Sequence, residues 1–148
     1  MSASAQIVCP ACSALNRIPG GRPAGEAKCG ACHAKLFNAQ PVSVDEAAFE
    51  RHVRSGSIPV LLDVWAPWCG PCRTMGPQFE RAAARLEPRV RLLKLNADAA
   101  PDVSARLNIR GILALFLFRG GKPVAETTGA MTADAIVRWT QDNLSMKN

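Results

Sequence analysis

The stretch Trp65-Ala66-Pro67-Trp68-Cys69-Gly70-Pro71-Cys72-Arg73 constrains this chain more than any other. The apolar run Val60-Leu61-Leu62-Asp63-Val64 leads into it, and a helical pattern leads out. The arrangement predicts strand, turn and helix, with Cys69 at the helix start. N–H groups in the first turn of a helix lack partners, and the helix dipole puts partial positive charge there. Both favour thiolate over thiol, and the thiolate is the nucleophile. Two cysteines two residues apart in that position predict thiol–disulfide exchange. Residues 58–66 are almost continuously apolar, the pattern of a central strand buried on both faces. Asp63 interrupts that run between apolar neighbours. Burial disfavours an ionised carboxylate, so Asp63 is read as a buried functional acid rather than a residue on a solvated face.

The other four cysteines form two further Cys-x-x-Cys pairs, Cys9/Cys12 and Cys29/Cys32, with sixteen residues between them. That spacing is a zinc pattern. Each tight turn points two sulfurs to one side, and two such turns complete a tetrahedral shell of four thiolates. Pro10 and Gly30 suit the turns, and the Pro/Gly-rich segment Asn16–Pro23 reads as a hairpin or ribbon connection. Residues 1–38 hold few large apolar side chains (Ile7, Val8, Leu15, Ile18, Leu36, Phe37), too few for a self-sufficient core. One structural Zn2+ per chain, held by Cys9, Cys12, Cys29 and Cys32, is expected to supply the missing folding energy. A redox-sensing zinc switch and two labile disulfides are the alternative uses of the same thiols. His33 is read as an exposed bystander, since four thiolates already close the shell.

The predicted organisation is a ribbon over 1–38, a linker over 39–42 and an α/β domain over 43–148. Asp45 caps a helix that ends at Gly56 and buries Ala48, Phe49 and Val53, with His52 at the surface. The helix after Cys69 runs to Leu86 with Pro77 inside it. Val90–Leu95 reads as a strand, Pro101–Leu107 as a short helix and Ile112–Phe118 as a strand. Gly120-Gly121 turns the chain into a strand over Pro123–Thr128, and Thr132 caps a last helix carrying Ile136, Val137, Trp139 and Leu144. This order predicts a mixed sheet with helices on both faces.

Net charge is +6, half of it within residues 1–38, where Arg17, Arg22, Lys28 and Lys35 stand against Glu26 alone. Without aromatic interleaving or a basic run, the charge reads as solvated surface rather than a nucleic-acid site. No stretch approaches the ~20 apolar residues of a membrane span. The opening Met1-Ser2-Ala3-Ser4-Ala5-Gln6 lacks the cationic start and apolar core of a signal peptide. Six cysteines without such a signal point to a reducing compartment, the cytoplasm.

With these motifs in place, residues 43–147 resemble the thioredoxin family. The octapeptide Trp65–Cys72 carries the resemblance, and Asp63, Pro77, Lys94 and Gly120-Gly121 fit it in order and spacing. The four-cysteine segment is similar to the ribbon of zinc-bearing bacterial thioredoxins of the thioredoxin-2 type. The resemblance implies a thioredoxin-like mixed central sheet flanked by helices, a monomer, and protein-disulfide reductase activity. It implies that Cys69 attacks a client disulfide, that Cys72 resolves the mixed disulfide, that Asp63 accepts the Cys72 proton, and that Lys94 modulates Asp63. Trp68, Gly70, Pro71, Gly111, Ile112, Leu113, Gly129 and Ala130 match the surface that holds client peptides, with Trp65 packed behind. The implied partners are disulfide-containing client proteins and an NADPH-dependent flavoprotein reductase. The chain carries no Gly-x-Gly-x-x-Gly fingerprint of its own for a dinucleotide.

One departure stands out. The family places a cis-proline opposite the redox pair, and this chain has Ile112-Leu113-Ala114. A cis bond before a non-proline residue costs about 2.5–4 kcal/mol, so a trans Ile112–Leu113 bond, a rearranged loop and weakened client turnover are expected. A moved loop would also open Cys69 and Cys72 to a metal or an iron–sulfur cluster, since thiolates are soft ligands. The contrary expectation is that Leu113 packs over the pair.

Overall fold

Strand alternation decides which residues meet beneath the Cys69 turn. The computed structural model describes residues 4–145, so the outermost ends of the expected domains, 1–3 and 146–148, lie outside the described residues. The chain forms β1 (Ala5–Val8), β2 (Leu15–Ile18), β3 (Val42–Val44), α1 (Glu46–Ser55), β4 (Val60–Trp65), α2 (Gly70–Leu86), β5 (Arg91–Asn96), α3 (Pro101–Arg106), β6 (Ala114–Arg119), β7 (Lys122–Thr128) and α4 (Ala133–Asn143). The main sheet has the order β3-β5-β4-β6-β7. β3 and β4 run parallel to β5, whereas β6 is antiparallel to β4 and to β7. β4 lies at the centre, as its apolar run requires.

Successive side chains on a strand point to opposite faces. Leu61 therefore joins Leu92, Leu115 and Leu117 under α2 and α4, while Val60, Leu62 and Val64 join Leu93, Leu95, Phe116 and Phe118 on the other face. By the same alternation, Asp63 shares the α2 face with Leu61 and Trp65. α2 buries Cys72, Met75, Phe79, Ala82, Ala83 and Leu86, a stripe at helical spacing that covers this face. The expected caps are present: Asp45 accepts the Ala48 N–H, and Thr132 accepts the Ala135 N–H.

Three expectations need correction. Val42–Val44, which begins inside the expected 39–42 linker and is not among the expected strands, is an edge strand, because pairing with Leu93–Leu95 supplies the order its short sequence lacks. Asn16–Pro23, read as a hairpin or ribbon connection, is not the hairpin turn: its first residues belong to β2, its remainder leads on toward Cys29, and the turn joining β1 to β2 contains the Cys9/Cys12 pair. His52 is not at the surface but 3% exposed, because it falls three residues after Phe49 on the apolar stripe of α1. Burial, with the Arg91 charge second, pushes its pKa down to about 3, so the imidazole stays neutral.

The ribbon packs where β4 and β5 begin, and Ile58 extends its small core of Ile7, Ile18, Leu36 and Phe37. Arg91, the first residue of β5, is the fastener. Its guanidinium donates to the carbonyls of Val8 (3.1 Å) and Leu36 (2.8 Å) and lies 4.4 Å above the Phe37 ring. It also faces the Glu87 carboxylate at 3.6 Å, and Glu87 accepts the Ala39 N–H at 2.8 Å. β1 meets the end of α1 through Ser57 N–H, which donates to Gln6 O at 2.8 Å. Gly56 permits this close fit, since a Cβ there would lie 2.9 Å from His52 O.

Candidate active site and metal centre

β4 delivers the chain to the turn, and α2 starts directly after Cys69. The Cys72 N–H donates to Cys69 Sγ at 3.2 Å, so the cysteine itself occupies the capping position of α2. Cys69 and Cys72 are joined as a disulfide, with Cα atoms 5.3 Å apart. Both are buried, while Gly70 and Pro71 between them are exposed.

The parallel register places Lys94 beside Asp63. Asp63, Trp65, Cys72, Arg73 and Lys94 line one cavity of about 340 Å³ behind the turn. Asp63 is 1% exposed and its Oδ1 has no hydrogen-bond partner. Burial pushes its pKa up to about 7, with the Lys94 charge pulling the other way. A carboxyl with that pKa can take or give a proton near neutral pH. The Lys94 ammonium lies 5.7 Å from the centre of the Trp65 ring.

Most of the sequence-predicted docking residues lie at the surface. Trp68 is 67% exposed, and its indole N–H points to Asp98 at 3.4 Å, a partner the sequence does not signal because thirty residues separate the two. Gly111, Gly129 and Ala130 are exposed and Ile112 is half-buried. The expectation of a trans peptide and a displaced loop is corrected: Ile112–Leu113 is cis. Leu113 is held from both ends. Its side chain sits in the same buried cluster as Cys69, Cys72 and Met75, and its carbonyl accepts the Gly129 N–H at 3.1 Å. Leu113 is therefore part of the buried cluster that contains the pair.

The ribbon brings its four sulfurs together. Those of Cys9, Cys12, Cys29 and Cys32 all lie within 4.8 Å of one another, with Cys9–Cys32 and Cys12–Cys29 at 3.6 Å. A tetrahedral zinc with ~2.3 Å Zn–S bonds needs sulfurs about 3.8 Å apart, so the donor set fits that ion. Each knuckle uses the same backbone bonds. Cys9 N–H donates to Ala14 O, Ser13 N–H to Cys9 O and Ala11 N–H to Cys9 Sγ. Cys29, Ala34, His33 and Ala31 repeat the set twenty residues on. Ser13 (φ 65°) and His33 (φ 68°) take the left-handed turn in each. His33 is exposed, as expected.

A disulfide between helix-start cysteines, set over a buried acid on a mixed five-stranded sheet, defines the class: a thiol–disulfide oxidoreductase. The thioredoxin family profile matches residues 40–142, and the profile described as Thioredoxin 2, N-terminal, matches residues 8–34. Thioredoxin C-3 of Corynebacterium nephridii is 36% identical over 141 residues, covering 95% of this chain and 97% of that one. The chloroplastic M-type thioredoxin of Chlamydomonas reinhardtii is 34% identical over 110 residues, covering 74% of this chain and 79% of the relative. Crystalline chloroplastic thioredoxin z superposes with a TM-score of 0.65 at 26% identity, covering 72% of this chain and 96% of that one. A mutant thioredoxin of Halobacterium salinarum shares the fold (TM-score 0.66, 24% identity, 76% and 97% covered). The chain belongs to the thioredoxin family, and its N-terminal segment, which matches the Thioredoxin 2, N-terminal profile, brings together four thiols with the spacing of a metal site. No helix among the described residues is long and apolar enough to cross a membrane.

Proposed function

We propose that this protein reduces disulfides in client proteins through Cys69 and Cys72, with Asp63 and Lys94 managing the proton. The observation that carries the reading is the Cys69–Cys72 disulfide at the start of α2, with Asp63 and Cys72 lining one cavity. In the reduced protein the Cys69 thiolate attacks one sulfur of the client disulfide, and the other client sulfur leaves as a thiolate. Asp63 takes the proton of Cys72. The Cys72 thiolate then attacks Cys69 Sγ, which closes the protein disulfide and releases the second client thiolate. The client gains the two electrons that the pair loses. Trp68, Gly70, Pro71, Gly111, Ile112, Leu113, Gly129 and Ala130 form the client surface in this reading. A flavoprotein reductase drawing on NADPH restores the dithiol, and a reducing compartment, the cytoplasm, suits the four unpaired ribbon thiols.

In the same reading, residues 1–38 and 43–148 are the two functional parts, and the ion in the ribbon is a single Zn2+. A zinc held by all four thiolates would tie the two knuckles together, with no position left for catalysis. Cys9, Cys12, Cys29 and Cys32 hold it. The test is turnover of a protein disulfide by the reduced, zinc-loaded chain with a small dithiol as electron donor. The protein is expected to accelerate the reaction well beyond the dithiol alone, and no acceleration would sink the proposal. Metal analysis is expected to find one zinc per chain, lost in Cys9→Ser or Cys29→Ser and retained in Cys69→Ser. Two zincs, or none, would contradict the assignment.

A further inference from the structure

The two knuckles repeat each other in the backbone, but one side chain breaks the symmetry. Asn16 stands four residues after Cys12, and its counterpart four residues after Cys32 is Leu36, which is fully buried. The Asn16 carboxamide makes three hydrogen bonds. Its Oδ1 accepts the Gly30 N–H at 2.9 Å. Its Nδ2 donates to Cys29 Sγ at 3.4 Å and to Ala14 O at 3.2 Å. Asn16 belongs to β2, next to the first knuckle, whereas Gly30 and Cys29 belong to the second. Among the described residues, no side chain apart from the cysteines hydrogen-bonds from one knuckle to the other in this way.

We infer that Asn16 is a positioning residue of the metal centre, fixing the Cys29 sulfur and clamping the second knuckle to the first so that the ion is released slowly. Four thiolates around a divalent cation leave a net double negative charge, and N–H donors to sulfur stabilise it. Cys9 receives a backbone donor from Ala11, and Cys29 receives backbone donors from Ala31 and Cys32. Cys29 alone also receives a side-chain amide donor, from Asn16. The Gly30 bond sets the amide orientation, so that the N–H2 end must face the sulfur. Only a carboxamide of this length does both. Aspartate keeps the acceptor for Gly30 but loses the donor and adds negative charge beside the thiolates. Leucine loses all three bonds.

The inference rests on the four cysteines being a metal site, so zinc content of the wild-type chain is measured first. A wild-type chain without metal fails that reading. A wild-type chain with one zinc puts only the role of Asn16 at stake. Zinc release from the full-length reduced protein to excess chelator is then followed in Asn16→Asp and Asn16→Leu. Both variants are expected to release zinc about 10- to 100-fold faster than wild type. In the cobalt-loaded protein, Asn16→Asp is expected to shift the thiolate-to-metal charge-transfer band, because the sulfur has lost a donor while the Gly30 bond remains. Asn16→Asp decides the matter if Asn16→Leu does not fold. Release from Asn16→Asp within about twofold of wild type, with an unmoved cobalt band, would overturn the role.

Discussion

Arg91→Ala is expected to cost about 3–5 kcal/mol of stability, the range for removing one partner of a buried ion pair. The guanidinium is 2% exposed, so its partners are other protein groups rather than bulk solvent. Its loss strands the Glu87 carboxylate and two ribbon carbonyls, Val8 O and Leu36 O, and removes the cation from the Phe37 ring. Burial already raises the Glu87 pKa, so the stranded acid will take up a proton more readily, which limits the damage without abolishing it. For a chain of this size the melting point should fall by about 10 °C. Arg91→Met combined with Glu87→Leu is expected to recover most of the loss, because apolar side chains of similar volume need no partners. A urea midpoint for Arg91→Ala equivalent to less than about 1 kcal/mol would show that the ribbon is fastened by its apolar core alone.

Asp63→Asn is expected to stabilise the protein while impairing it. The folded carboxyl, with its pKa pushed up to about 7, keeps a proton that the unfolded chain gives up near pH 4. Between those values the folded state binds more protons, so its stability falls as pH rises, and above about pH 7 the loss is complete. Asparagine carries no such penalty. The gain over wild type should therefore be absent below about pH 4, grow through neutrality and level off above about pH 8 at roughly 4 kcal/mol. Client reduction should slow by roughly 10- to 100-fold, at and below the lower end of the range for proton-transfer catalysis, because Cys72 loses its acceptor. Unfolding free energies measured from about pH 4 to 9 check the first part. Parallel curves for the two proteins would mean that Asp63 ionises normally.

The features legible in the sequence are those in which neighbouring residues carry the whole instruction. Val60–Val64 and the turn at Cys69 specify a buried strand and a helix start without outside help, and the Asp45 and Thr132 caps bond within their own first turns. The four-cysteine cluster is legible because its spacing is a property of ligand geometry. Other features depend on distant partners. Val42–Val44 is ordered by β5, and His52 is buried by its place on the α1 stripe. Arg91 looks like an interruption of the run Val90–Leu95 until Val8 and Leu36 arrive from the ribbon. At Ile112–Leu113, the general cost of a cis bond says nothing of the buried cluster and the Gly129 bond that hold Leu113. Asp98 beside Trp68 and Asn16 beside Cys29 escape the eye for the same reason: no local pattern announces them.

The ribbon is fastened at the start of β4 and β5, whereas Cys69 follows the far end of β4. Six residues at about 3.3 Å each separate the two ends by roughly 20 Å. Traffic at one end therefore does not obstruct the other. A support or a reporter dye attached to the exposed side of β2, at Leu15 or Arg17, would leave the redox face free.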